Sequence, residues 1–281
     1  MGTESRQDFQ DAGTVGALRM KIAILCQEEP VLMSPFLQEV IKRQPGRIVA
    51  VFIAGSRGAG EKIKTQRQRL NSLRIFWLIL EPRYFFSGLL LRLRAGFLGR
   101  RDPRSVERLA RKLKIPVYHV KDPNDPEFLT LLRSTAPHVV LNQSEKILKK
   151  EVLSIPRLGF INRHASLLPN FRGRLASFWA HADENPRYGV TIHMVDDGID
   201  TGDIIFQQEF DNIPSTWPYP KVARRLFAEA PALLWKAVDL LGRDKFRPRT
   251  QTPVDKPRRF PTMEEARHYR TLLRRRRSGT P

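Results

Sequence analysis

The sequence predicts an α/β protein, a Rossmann-like fold with a mainly parallel sheet and a basic helical insert. Three observations predict it. Short continuous apolar runs alternate with stretches of helical spacing. Each run is apolar throughout rather than alternating, as a strand covered on both faces requires. Between the second and third runs lies a long stretch rich in Arg, Leu and aromatics.

Residues 1–19 are polar and irregular and read as a disordered lead-in, so that either Met1 or Met20 could be the native start. They lack the apolar core of a signal peptide. Gly2 invites a lipidation reading, but Arg6 stands where that motif needs Ser or Thr. Lys21 to Cys26 is the first strand, Pro35 to Arg43 a helix, and Arg47 to Ala54 the second strand. The insert runs over about 55–114 and contains FWLILEPRYFFSGLLLRLRAGFL, with Arg83, Arg92, Arg94, Arg100 and Arg101 among the apolar residues. Its composition fits a helical pair packed on the domain's flank, and leaves peripheral membrane contact open. Pro116 to Val120 and His138 to Leu141 are further strands, with a helix around Glu127 to Arg133 between them. Tyr219 to Leu241 has the pattern of an amphipathic helix that starts on prolines. Residues 242–281 hold thirteen Lys and Arg against four Asp and Glu and read as a solvated basic tail. The division expected is therefore a lead-in over 1–19, a catalytic domain over 20–212 and a helical, basic extension over 213–281.

Composition narrows the function classes. Of 281 residues, 41% are hydrophobic, enough for a substantial core. The net charge of +20 favours partners bearing phosphate or carboxylate, whether nucleotide, nucleic acid or anionic membrane surface. Cys26 is the single cysteine, which excludes a disulfide framework and a cysteine-rich zinc site and fits a reducing, cytoplasmic setting. No apolar run approaches the ~20 residues that span a bilayer.

The chemistry concentrates in Gly159–Gly173 and Tyr188–Ile205. Phe160 to His164 reads as a strand, and its period of two puts Asn162 and His164 on one face. Pro169, Arg172 and Gly173 make a turn beside them. After a strand from Val190 to Val195, the Asp- and Gly-rich loop Asp196 to Gly202 can return a carboxylate to that face. Asn162 can donate to a carbonyl oxygen as charge develops on it. His164 titrates near neutrality and suits general acid/base work. Asp200 can orient His164 and help take a proton from an attacking amine. His119, His138, His181 and His268 show no such pattern and read as structural or surface residues, and His193 reads as packing.

The motif NxHxSLLPxxRG at Asn162–Gly173, followed by GIDTGDII at Gly198–Ile205, closely resembles the signature of the folate-dependent formyltransferases. These include methionyl-tRNA, glycinamide ribonucleotide and sugar-nucleotide N-formyltransferases. The likeness is dense from Pro137 to Gln208 and looser from Met20 to Arg133. It implies the formyltransferase fold, 10-formyltetrahydrofolate as co-substrate without a metal, and Asn162, His164 and Asp200 in the catalytic positions. It also implies that Ser144, Ile147, Leu148, Asp197 and Gly198 hold the pterin, with the turn Ser166, Leu167, Leu168 and Pro169 shaping the site. Where glycinamide-type members carry a Gly/Ser phosphate loop, this chain has Gln27-Glu28-Glu29-Pro30. Where the methionyl-tRNA enzymes have a small Pro-containing segment and an appended barrel, it has Ser177-Phe178-Trp179-Ala180 and a short basic tail. The expected acceptor is a small-molecule or nucleotide-linked amine such as an amino-sugar nucleotide, with methionyl-tRNA and a non-catalytic folate or anionic-ligand binder as the other readings.

Overall fold

The computed structural model describes residues 20–27, 29, 32–55, 90 and 105–279. The lead-in over 1–19 and most of the insert over 55–114, with the arginines singled out there, lie outside the described residues.

Seven strands form one sheet in the order β3-β2-β1-β4-β5-β6-β7. They are β1 (Ile22–Cys26), β2 (Ile48–Ala54), β3 (Val117–Val120), β4 (Val139–Gln143), β5 (Phe160–His164), β6 (Gly189–Met194) and β7 (Ile204–Glu209). The first five are parallel, whereas β6 and β7 run antiparallel to their neighbours. The described helices are α1 (Met33–Arg43), α2 (Val106–Lys112), α3 (Pro126–Thr135), α4 (Lys150–Leu153), α5 (Ala176–His181), α6 (Tyr219–Leu241) and α7 (Met263–Ser278). Among the described residues no helix is long and apolar enough to cross a membrane.

Alternation along the strands builds two cores. Ile22, Ile24, Val51, Ile53, Val139, Leu141 and Ile161 face α1, α2 and α6, together with the side chains of Phe36, Leu226 and Leu234. Ala23, Leu25, Phe52, Val140 and Phe160 face α3 and α4 through Phe128, Leu132 and Val152. Filling both faces is why β1, β2 and the first three residues of β4 read as unbroken apolar runs. Helix α6 is fastened to the first core by polar contacts as well. Trp235 donates its indole N–H to the Val40 carbonyl at 3.1 Å, and Arg47 pairs with Asp239 at 2.7 Å while lying over the Trp235 ring.

The segment after α6 is not the solvated tail its composition predicts. Thr262 and Glu265 form a capping box that starts α7. Ala266, Tyr269 and Leu273 then pack on Phe178 of α5 and on Tyr219 and Ala223 of α6. The buried Ala266, Tyr269, Leu272 and Leu273 recur at helical spacing and hold the helix down, while Arg276 turns inward to the His181 carbonyl at 2.8 Å. Between α6 and α7 the chain runs back along the sheet, bridging Arg249 to Ile204 and Arg258 to Gly173.

The sheet reverses its strand order at β1, so the carboxyl ends of β1, β4 and β5 border the crevice where open α/β sheets bind ligands.

Candidate active site

Three strands deliver a row of polar residues to the carboxyl end of β5. In the register of the sheet Asn162 stands between Asn142 of β4 and His193 of β6. His164, two residues along β5, stands opposite Thr191. The alternation read from sequence therefore holds, with Asn162 and His164 on the face that carries Phe160 and Val140 deeper in the sheet.

Asp200 closes the row from above. Its backbone is left-handed, with φ of 53°, a conformation that Asp tolerates better than most residues. From there its Oδ2 accepts the Gly173 backbone N–H at 2.8 Å and lies 3.4 Å from His164 Nδ1. Its Oδ1 lies 3.4 Å from Asn162 Nδ2 and 3.5 Å from His193 Nε2. Burial pushes the Asp200 carboxyl up, but the facing His164, His193 and the Gly173 N–H together hold it well below the usual carboxylate range.

The carbonyls around the histidines fix where their protons sit, because a carbonyl only accepts. His164 Nε2 faces the Phe171 carbonyl at 3.1 Å and so carries the N–H, leaving Nδ1 toward Asp200. His193 Nδ1 faces the Met194 carbonyl at 2.7 Å, leaving Nε2 toward Asn162 Nδ2 at 3.4 Å and Asp200 Oδ1 at 3.5 Å. Burial lowers the His164 imidazole below its ordinary value, opposed by the Asp200 carboxylate.

The returning segment between α6 and α7 braces this arrangement. Gln251 donates to the carbonyls of Asp200 and Gly202, at 3.3 and 2.6 Å. Arg172 reaches from the turn after β5 to the carbonyls of Ile199 and Asp255. Gly173, with φ of 93°, lets the backbone of Arg258 lie directly against it, where any Cβ would collide.

The other residues singled out in the sequence fall into two groups. Ser166 and Leu168 are buried, and the turn they begin is tied to the sheet rather than open. Thr191 Oγ1 donates to the Ser166 carbonyl and accepts from the Leu168 N–H and from Gln207. Leu167 packs over Gly189, and the Leu168–Pro169 peptide bond is cis. By contrast Ile147 is 75% exposed, although its neighbour Leu148 is in the second core. Ser144 donates its N–H and hydroxyl to Asn142 Oδ1. Asp197 and Gly198 are exposed at the tip of the loop that ends in Asp200. Among the described residues no group of three or more His, Cys, Asp and Glu is placed to hold a metal ion.

Of the remaining histidines, His181 bridges the Tyr188 hydroxyl and the Trp217 carbonyl, His138 accepts the Lys21 N–H, and His119 lies beside Glu107. His193 differs from its sequence reading. Besides packing, it touches both Asn162 and Asp200, and the signal for it was its place on the strand next to β5. Gln143 and Arg163, also unremarked in sequence, adjoin Asn162 from behind.

A family model described as formyl transferase matches residues 20–238. A methionyl-tRNA formyltransferase from Pelotomaculum thermopropionicum is 38% identical over 112 residues, covering 39% of this chain and 36% of the relative. One from Syntrophus aciditrophicus is 40% identical over 133 residues, covering 47% and 42%. The matches thus span less than half the length of these curated relatives. Glycinamide ribonucleotide transformylase 1 from Symbiobacterium toebii shares the fold with a TM-score of 0.54 at 18% identity, over 84% of this chain and 96% of that one. A sugar N-formyltransferase from a Shewanella species shares it with a TM-score of 0.50 at 12% identity, over 89% and 87%. With a family match over this much of its length, the chain belongs to the formyl transferase family.

Proposed function

We propose that this chain moves the formyl group of 10-formyltetrahydrofolate to a primary amine on a phosphate-bearing acceptor, an amino-sugar nucleotide by class. The observation that carries the reading is the convergence of Asn162, His164 and His193 on the largely buried carboxylate of Asp200. Acyl transfer to an amine needs no serine or cysteine nucleophile, since the amine itself attacks the formyl carbon. As the C–N bond forms, the carbonyl electrons move onto oxygen, and Asn162 Nδ2 donates to that oxygen. A donor of this kind is worth roughly 10²–10³ in rate. The proton released by the amine passes to the Asp200–His164 pair, where Nδ1 can take it, and returns to the folate nitrogen as its bond to the formyl carbon breaks.

The loops on either side suit the folate. The Ser144–Leu148 segment and the Asp196–Gly202 loop each present an exposed apolar side chain, Ile147 and Ile199, that a flat pterin could cover. Backbone N–H and C=O groups in the same loops would read its edge.

The acceptor phosphate would not lie at the start of α1. The Glu29 carboxylate already accepts the N–H groups of Leu32 and Met33, at 2.8 and 3.1 Å, and so fills the place an anion would take.

A second reading, methionyl-tRNA as acceptor, is favoured by the relatives of that name and by the arginines of α7. Arg270, Arg274 and Arg277 line one cleft with Tyr219 and Tyr269. The experiment is a panel of amino-sugar nucleotides and charged tRNAs mixed with 10-formyltetrahydrofolate, following tetrahydrofolate release. Transfer to an amino-sugar nucleotide supports the first reading, and transfer to methionyl-tRNA alone moves the assignment to the second. Folate binding with no transfer to any amine would identify a non-catalytic binder.

A further inference from the structure

The most unusual group near the site is a buried cation. Arg163 lies between Asn162 and His164 on β5, so it points to the opposite face of the sheet, where Ile161 precedes it in the first core. It is 7% exposed. Its guanidinium lies 5.1 Å from the ring centre of Phe36 on α1 and 3.8 Å from that of Phe227 on α6. Among the described residues no carboxylate pairs with it directly. Its hydrogen bonds go to one atom, Gln143 Oε1, from Nε at 3.3 Å and from a terminal nitrogen at 3.1 Å. Burial lowers the group to about 10, against the Tyr219 hydroxyl and the Asp200 charge, so it stays a cation at neutral pH. An arginine in an apolar core is expensive to keep unless its charge and its donors are used.

The use follows from the one-way character of its hydrogen bonds. A guanidinium can only donate. Arg163 therefore requires that Gln143 turn its carbonyl oxygen toward it. The Gln143 amide nitrogen must then face the other way, where it donates to Asn162 Oδ1 and to the Asn142 carbonyl. With its oxygen so engaged, Asn162 has its amide nitrogen facing His193 Nε2 and Asp200 Oδ1, into the site. Asp200, as a carboxylate, can only accept, which agrees with this direction from the other end.

We propose that Arg163 and Gln143 are positioning residues that set the direction of the Asn162 side chain, so that it presents N–H rather than C=O to the formyl oxygen. The two amides stand in series, each with its oxygen toward the cation and its nitrogen toward the site. Their dipoles add, and the positive charge behind them polarises both. The chain therefore holds a preorganised donor that need not turn over when negative charge develops. The inference rests on Asn162 being the oxyanion donor, as proposed above.

The discriminating variant is Gln143→Glu, nearly isosteric and able to pair with Arg163. Two acceptor oxygens at position 143 would attract the Asn162 N–H2 group and turn the Asn162 oxygen toward the site. If the pair serves stability alone, this change keeps or strengthens it. If the pair sets direction, kcat falls about 100-fold, as for loss of an oxyanion donor, with KM for 10-formyltetrahydrofolate unchanged and the thermal midpoint not lowered. The assay uses hydroxylamine as the amine and follows tetrahydrofolate release in the full chain. Arg163→Met should lose activity in the same way, and Arg163→Lys, which also only donates, should restore part of it. A Gln143→Glu chain with wild-type kcat would overturn the proposal.

A second measurement separates this outcome from a failure of the functional reading. Proton NMR contacts of the Asn162 side-chain N–H2 group need no substrate. In the wild-type chain they should reach the His193 ring, and after Gln143→Glu they should move to the side chain at position 143. Wild-type contacts from the Asn162 N–H2 group to Gln143 would overturn the relay even if the enzyme transfers formyl. The expected contacts in a chain that transfers nothing would retain the relay and sink the reaction.

Discussion

His193 Nε2 lies 3.5 Å from Asp200 Oδ1, on a ring whose other nitrogen is committed to the Met194 carbonyl. That carbonyl takes the Nδ1 proton, and Nε2 faces both the Asp200 carboxylate and the Asn162 amide. Asn162 Nδ2 sits 3.4 Å from both groups. His193 thus helps keep the amide nitrogen inside the site.

This relationship predicts the effect of His193→Phe. The ring is 2% exposed, so its volume must be kept. Loss of the Nε2 contact should leave the fold standing while lowering kcat about 10²-fold, the lower end of the range for positioned acid/base groups. Steady-state tetrahydrofolate release measures it. An unchanged kcat would return His193 to the packing role its sequence implies.

The turn after β5 depends on Thr191. Its hydroxyl donates to the buried Ser166 carbonyl and accepts from Leu168 in the interior and from the half-buried Gln207. Thr191→Val keeps the shape but strands these partners, and each unsatisfied buried group costs about 1–3 kcal/mol. A urea titration should show a lower midpoint with the slope unchanged, and activity should fall as the turn loosens. Equal midpoints for the two chains would show that the hydroxyl does not hold the turn.

His181 sets the response to acid. It is buried between the Tyr188 hydroxyl and the Trp217 carbonyl. Burial lowers its imidazole from 6.5 to about 4, opposed by the Trp217 carbonyl and assisted by the charges of Arg276 and Arg277. The unfolded chain therefore binds a proton between those values that the folded chain refuses. Stability from this group is complete above about 6.5 and is lost as the pH falls toward 4, by roughly 3 kcal/mol in all. His181→Gln should flatten the fall in thermal midpoint over that window. An identical pH profile in the two chains would show that acid acts through other groups.

Much of this was legible in sequence, for physical reasons. Strands filled on both faces leave unbroken apolar runs, and those at residues 22–26 and 48–54 are strands with hardly a shift at their ends. Asn162 and His164 share a face because alternation leaves a strand no other choice. Asp200 meets them across 38 residues because the family motif, rather than any local pattern, ties the loop to the strand. Other features depend on partners that a local reading does not see. Helix α7 looks like a charged tail until Phe178 and Tyr219 supply the surface for its few apolar residues. Gln143, Arg163 and His193 lie on three adjacent strands, and only their register brings them to Asn162. Gln251 reaches Asp200 from 51 residues away, through a bridge between Arg249 and Ile204 that no periodicity announces.

The most direct test of the account is the Asp200→Asn chain, in which the shape of the site is kept and its negative charge is removed. Tetrahydrofolate release should depend on 10-formyltetrahydrofolate and an amine acceptor in the wild-type chain. In the variant it should slow by about 10²–10⁴, the range for loss of a positioned acid/base group, while 10-formyltetrahydrofolate still binds. Release at the wild-type rate from the Asp200→Asn chain would contradict the account.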